Sequence, residues 1–268
     1  MSSLPLSLAG TVLARAALEG LRRRTPGGSP AWDRTNHRGA TVSLLAGPAV
    51  VLASAVTAAA GAPSRRLGAA ALGVGLAAGA VGRYDDTRGA EEATSKGFRG
   101  HLRAAASGRL SGGAVKVAGI GVASLLAAGA VTRSPVQRLI ASGVIAGTAN
   151  LVNLLDLRPG RALKAFTLAG TPLLSGPYGR MLAGPLGAAT ALLPDDLGER
   201  VMLGDAGANG LGALLGLRLA AGASPAGRVA LLGGLAALTA ASEVVSFSKV
   251  IAATPGLREL DAWGRRPA

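Results

Sequence analysis

Residues 42–61 read VSLLAGPAVVLASAVTAAAG, a run of 20 positions with no formal charge. A helix on a soluble core keeps one polar face, whereas a segment crossing the roughly 30 Å hydrocarbon core of a bilayer needs about 20 mostly apolar residues. Outward from this run, Leu67–Val81, Gly113–Val131 and Val136–Leu155 reach or approach the same length. The 41 glycines suit helices that pack closely without the driving force that water supplies. A soluble array of Ala/Gly helices would carry a repeat period, and none is found. The N-terminal Leu4–Leu21 is apolar but contains Arg15 and Glu19 and follows no basic segment, which reads as a first helix rather than a cleaved signal.

Hydropathy and breakers together give about nine spans, at 4–20, 42–61, 67–83, 113–131, 136–154, 162–176, 180–193, 206–222 and 228–247. The sixth and seventh are short. The expected fold is therefore all-α, one polytopic transmembrane helical bundle over residues 1–268. With the first loop placed in the cytoplasm, the inner loops and tail hold twenty of the 28 Lys and Arg, so the N-terminus is expected outside and the C-terminus in the cytoplasm of a cell membrane. Twelve of the 14 acidic residues fall in the same inner loops, and Glu19 and Glu243 lie toward inner helix ends. Acidic residues contribute little to orientation, so their clustering points to a functional inner face.

Composition also excludes. With no cysteine, there is no disulfide framework, thiol nucleophile or Cys-based metal site. The net charge of +14 is dispersed over several loops with few aromatics and no nucleic-acid motif, so no nucleic-acid partner is expected. Small Ala/Gly faces permit a homodimer without demanding one.

Three acidic elements could carry chemistry. Asp85-Asp86 directly follows an apolar span, and adjacent carboxylates there repel unless a cation relieves them. Mg²⁺ takes one or two carboxylates plus phosphate oxygens, although a solvated acidic turn would also leave this pattern. Asn150, Asn153 and Asp156 follow one another at intervals of three at the end of a span, so neighbours share a helix face. Intramembrane polar groups are costly enough to suggest a role, but the two Asn could instead bond neighbouring helices while Asp156 pairs with Arg158 or Arg161. Gly204-Asp205-Ala206-Gly207 opens a span, where Asp205 could cap the helix or the free amides could receive phosphate.

These motifs resemble, in order from about Asn36 to Gly216, the polyprenyl-phosphate N-acetylhexosamine-1-phosphate transferase superfamily, which includes phospho-N-acetylmuramoyl-pentapeptide transferase. Arg34-Thr35-Asn36-His37-Arg38-Gly39 looks like its first inner loop and Asp85-Asp86 with Lys96-Gly97 like its second. Asn150-x-x-Asn153-Leu154-x-Asp156 and Gly204-Asp205-x-Gly207 look like its third and fourth. The resemblance implies transfer of a sugar 1-phosphate from a UDP-sugar to a polyprenyl phosphate, with release of UMP, in cell-envelope glycan synthesis. Carried over by motif, Asp205 would hold Mg²⁺ on the diphosphate. Asp85, Asp86 and Asp156 would position or deprotonate the lipid phosphate and help hold the metal. Arg38 and Lys96 would neutralise phosphate charge, with Asn150, Asn153 and Asn209 as further substrate contacts.

The sequence departs from the family at three places, one of them Ala208-Asn209, where the fourth motif commonly has Ser after its second Gly. Leu157-Arg158-Pro159-Gly160-Arg161 replaces an acidic, flexible turn with a basic, stiff one. A His-rich loop near the C-terminus is absent, as the only histidines are His37 and His101. The departures keep open a non-catalytic protein that binds polyprenyl phosphate or a partner. A transporter would need charges along a pathway and paired broken helices in two halves, which do not recur.

Overall fold

A computed structural model describes residues 3–36, 38–88 and 112–266. Helices α1 (Leu4–Arg24), α2 (Ala46–Gly61), α3 (Arg65–Arg88), α4 (Gly112–Ala128), α5 (Pro135–Leu155), α6 (Arg161–Gly170), α7 (Arg180–Leu197), α8 (Gly204–Gly222) and α9 (Pro225–Val244) form the bundle. Two short helices, α10 (Phe247–Ala253) and α11 (Leu257–Ala262), follow it. Among the described residues, four helices are long and apolar enough to cross a membrane: Leu4–Arg24, Arg65–Thr87, Pro135–Leu155 and Pro225–Val244. The expectation of nine crossings reaches beyond these four.

Local sequence explains where the helices begin. Ser134 and Ser224 each precede a proline at the first helical position, and their hydroxyls accept the amides of Gln137 and Gly227. A serine cap satisfies an orphan donor there, while proline needs no partner for an amide it lacks. Helix α8 is the axis of the bundle, buried almost all round from Ala206 to Arg218 and packed by α2, α3 and α5. Helix α7 instead packs on α1 and α2.

Two span boundaries change on the structure, and a short hairpin is added to the helical expectation. The sixth span becomes the ten-residue α6 and a 3₁₀ turn over Thr171–Leu174. At about 1.5 Å per residue, α6 covers roughly 15 Å, half a bilayer core. The ninth ends at Val244, because Val245 is extended and Ser246 starts a new helix. In the first inner loop, β1 (Asp33–Thr35) pairs antiparallel with β2 (Thr41–Ser43), and Ser43 bridges onward to Val201 just before α8. The hairpin turn is made by the Asn36 side chain, which accepts the amides of Arg38 and Ala40 at 2.9 Å each.

At the opposite end from the acidic loops, arginines close the bundle. Arg66 donates to the Gly129 carbonyl, Arg138 to Leu125, Arg228 to Ala220, and Arg218 to both Leu173 and Ser175. Terminal carbonyls of a helix lack intrahelical partners and carry the negative end of its dipole. These arginines, which count against a simple charge rule for orientation, are thus spent on helix ends.

Candidate functional site

The site forms where α3 crosses the start of α8. A Cβ on Gly82 would lie 2.2 Å from the Asp205 carbonyl oxygen, so only glycine lets the two backbones approach this closely. One turn further along α3, Asp85 and Asp86 arrive beside Asp205. Asp86 accepts the amide of Asp205 through Oδ1 at 2.9 Å and that of Ala206 through Oδ2 at 3.2 Å. The cap of α8 is therefore supplied by Asp86 from α3 rather than by Asp205, and two of the amides that could have received phosphate are already engaged.

Asp85 and Asp205 converge on a residue that sequence reading had counted only as a positive charge. Lys116, in the first turns of α4, places its ammonium 3.0 Å from Asp85 Oδ2 and in contact with Asp205 Oδ2. Asn153 completes the ring from α5. With its amide oriented to satisfy both neighbours, it donates to Asp205 Oδ1 at 2.9 Å and accepts from Lys116 Nζ at 3.1 Å. A lysine inside an otherwise apolar run was the available signal, since such a charge needs a partner.

Asp156 ends α5 as its C-terminal cap residue. Burial, and then the carboxylates of Asp196, Asp205 and Asp86, push its carboxyl well above the usual carboxylate range, against a hydrogen bond from the Gly204 amide. Carboxylates gathered around one ammonium favour recruitment of further positive charge. No group of three or more His, Cys, Asp or Glu able to hold a metal occurs among the described residues. Mg²⁺ needs only one or two carboxylates beside phosphate oxygens and water, and Asp85 and Asp205, both now bonded to Lys116, are the residues here that could hold one. Lys116 marks the point between them at which a cation is stabilised.

The remaining candidates lie elsewhere or are already bonded. Asn150 turns to α9 and donates to Thr239 Oγ1 at 3.3 Å, the helix-bonding alternative. Asn209 is fully buried one turn below Asp205 and donates to its carbonyl at 2.7 Å, which removes it from contact with any ligand in this arrangement. Arg38 lies 3.4 Å from Glu199 and donates to the Arg266 carbonyl at 3.0 Å. Lys96 lies outside the described residues.

The basic turn that departs from the family pattern has a definite use. Gly160 adopts a positive φ of 72° and donates its amide to Asp196 at 3.1 Å. This brings Arg161 under the C-terminal segment, where it grips both oxygens of Asp261 at 2.8 and 3.0 Å and donates to Ser248 at 2.8 Å. Lys164 donates to the carbonyls of Leu260, Asp261 and Trp263, and Arg265 returns to the Pro159 carbonyl. Arg161 thus pairs with Asp261, not with Asp156. Burial alone would raise the Asp261 carboxyl, but the Arg161 hydrogen bonds and the charges of Arg161 and Arg265 outweigh it and hold the group below its ordinary value.

No family model matches the chain, and no curated protein matches it either.

Proposed function

We propose that this protein is a membrane-embedded, Mg²⁺-dependent transferase that moves a sugar 1-phosphate from a UDP-sugar to a polyprenyl phosphate, releasing UMP, at the cytoplasmic face of the cell membrane. In this reading about nine segments cross the bilayer, the N-terminus is outside, and the product serves envelope glycan synthesis. The observation that carries it is the convergence of Asp85, Asp205 and Asn153, from three helices, around one cationic point, with Asp86 and Asp156 beside them.

The chemistry asks little covalent work of the protein. A phosphate monoester is largely ionised near neutral pH, its second pKa being about 6, so the acceptor needs no strong base. Phosphoryl transfer depends on positioning and on neutralising charge on the transferring group. Asp85 and Asp205 would hold Mg²⁺, which when bound would supply that neutralisation on the donor diphosphate. Lys116 contributes a fixed positive charge at the same point, Asn153 orients Asp205 and Lys116, and Asp86 fixes the start of α8 so that Asp205 cannot drift.

Detergent-purified protein given undecaprenyl phosphate, Mg²⁺ and a panel of UDP-sugars should release UMP from at least one donor, and Asp205→Asn should abolish that release. A second reading is favoured by Lys116 itself. Its ammonium already neutralises Asp85 and Asp205 internally, as it would in a non-catalytic protein that binds polyprenyl phosphate. Lipid binding with no UMP release from any donor would select that reading.

A further inference from the structure

Helix α3 meets α4 closely at two levels. Toward the acidic site Gly119 faces Val81, where an added Cβ would stand 2.8 Å from Val81 Cγ2, and at the opposite end of the bundle Arg66 donates to the Gly129 carbonyl. Between these levels the facing residues are Ala69, Ala70, Gly73 and Ala77 on α3 and Ala123 on α4, which are too small to fill the space between the helices. An apolar groove of about 500 Å³ is left. Val122 and Leu126 on its lip are 60% and 68% exposed, so the groove opens sideways rather than into the protein. Gly73 marks the open side, because a Cβ there would meet nothing within 4 Å.

Length and charge narrow what fits. From Arg66 to Ala77 on α3, and from Ala130 back to Gly119 near the middle of α4, the groove runs roughly 16 Å, half of a ~30 Å hydrocarbon core and so the depth of one leaflet. A helix ~10 Å across would fill on the order of 1,200 Å³ over that length, so the groove takes something thinner, of the girth of an acyl chain. Its charged lining residues are Arg66 and Arg138, both at the mouth, and no carboxylate lines it. Each arginine spends one nitrogen on a carbonyl near the end of α4, Gly129 for Arg66 and Leu125 for Arg138, whereas a guanidinium carries five N–H donors. Among the described residues neither forms an ion pair. A zwitterionic headgroup would bring its own ammonium against these two cations. An anionic phosphodiester would not, and its oxygens suit the guanidinium fork.

We infer that this groove binds one anionic phospholipid of the surrounding bilayer, with an acyl chain between α3 and α4 and the phosphodiester against Arg66 and Arg138. The site stands apart from the acidic residues and does not depend on the transferase reading. Its effect reaches them through its own walls, because the other ends of α3 and α4 carry Asp85 and Lys116, which pair at 3.0 Å. A chain seated in the gap supplies the packing that alanine and glycine leave out, and a ligand held only by the folded bundle stabilises it.

The test uses the purified, delipidated full-length chain with phosphatidylglycerol and phosphatidylcholine of identical acyl chains, read by native mass spectrometry and by thermal midpoint. Wild type should hold phosphatidylglycerol about tenfold more tightly, as one charge-assisted contact would give, and should melt later in its presence. Arg66→Gln combined with Arg138→Gln should erase the preference between the two lipids. Those arginines also close helix ends, so Gly73→Leu provides a variant that leaves the ends intact. It fills the open side of the groove and should weaken both lipids alike. Gly234→Leu, on α9 and away from the groove, also sits where a Cβ meets nothing within 4 Å, and it should bind as wild type does. Equal affinity of wild type for the two lipids, or Gly73→Leu binding as wild type does, would overturn the assignment. Equal weakening by Gly73→Leu and Gly234→Leu would overturn it too, by showing a general lipid coat in place of a site.

Discussion

The carboxylate of Asp86 holds the amide of Asp205 at 2.9 Å, so the metal candidate on α8 and the acidic pair on α3 are parts of one joint. A side-chain cap contributes about 1 kcal/mol, and removal of a buried partner leaves donors unsatisfied at further cost. Asp86→Ala should therefore lower stability by about 1–3 kcal/mol. Asp86→Asn, which keeps one acceptor, should lose less of it. Thermal unfolding in detergent, followed by tryptophan emission, separates the two, and an unchanged midpoint in Asp86→Ala would show that the cap contributes nothing.

Lys116 stands where positive charge is needed. Replacing it with Gln leaves Asp85 and Asp205 facing each other without an ammonium. The variant should be less stable than wild type in chelator and should recover on titration with Mg²⁺, while wild type shifts less. A thermal-shift series over Mg²⁺ concentration reads this directly. A variant that ignores Mg²⁺ would remove the case for a cation at this point.

Gly82 sets the crossing of α3 and α8. A methyl group there meets the Asp205 carbonyl, so Gly82→Ala must displace one helix, and overpacking of this kind typically costs about 1–3 kcal/mol. Gly73, on the same helix, opens onto free space, and Gly73→Ala should be neutral or slightly stabilising because alanine is the better helix former. Both variants should be compared for thermal midpoint and UMP release, with loss expected only in the first.

The C-terminal segment should respond to acid. The Asp261 carboxyl, lowered in the folded protein below its ordinary value, contributes stability that is full above that ordinary value and disappears as pH falls through the lower folded one. Below about pH 4 the grip of Arg161 on Asp261 should therefore weaken. Emission from the exposed Trp263 and an acid-active protease can report the release. Arg161→Gln should show it already at neutral pH, and a segment that stays docked in that variant would refute the anchoring role.

What the sequence disclosed follows from the kind of force involved. Long apolar runs mark helices directly, and 42–61 and 136–154 correspond to Ala46–Gly61 and Pro135–Leu155. The acidic motifs were legible because paired carboxylates near an apolar helix are costly and so stand out. Lys116 stands out as a charge in an apolar run, but its partners, 31 and 89 positions away in the chain, do not follow from the sequence. The same holds for the hairpin, made by the Asn36 side chain and a bridge to Val201, and for α6, which is followed by a 3₁₀ turn and whose Arg161 and Lys164 hold the tail.

Lys164 closes its three hydrogen bonds on backbone carbonyls, not on side chains. Such a clasp recognises the path of the chain and is indifferent to most of the letters written along it. Relatives that keep a lysine at this position would thus be free to rewrite much of the final segment while preserving its docking. In an alignment the tail would look expendable, and deletion, unlike substitution, would expose its importance.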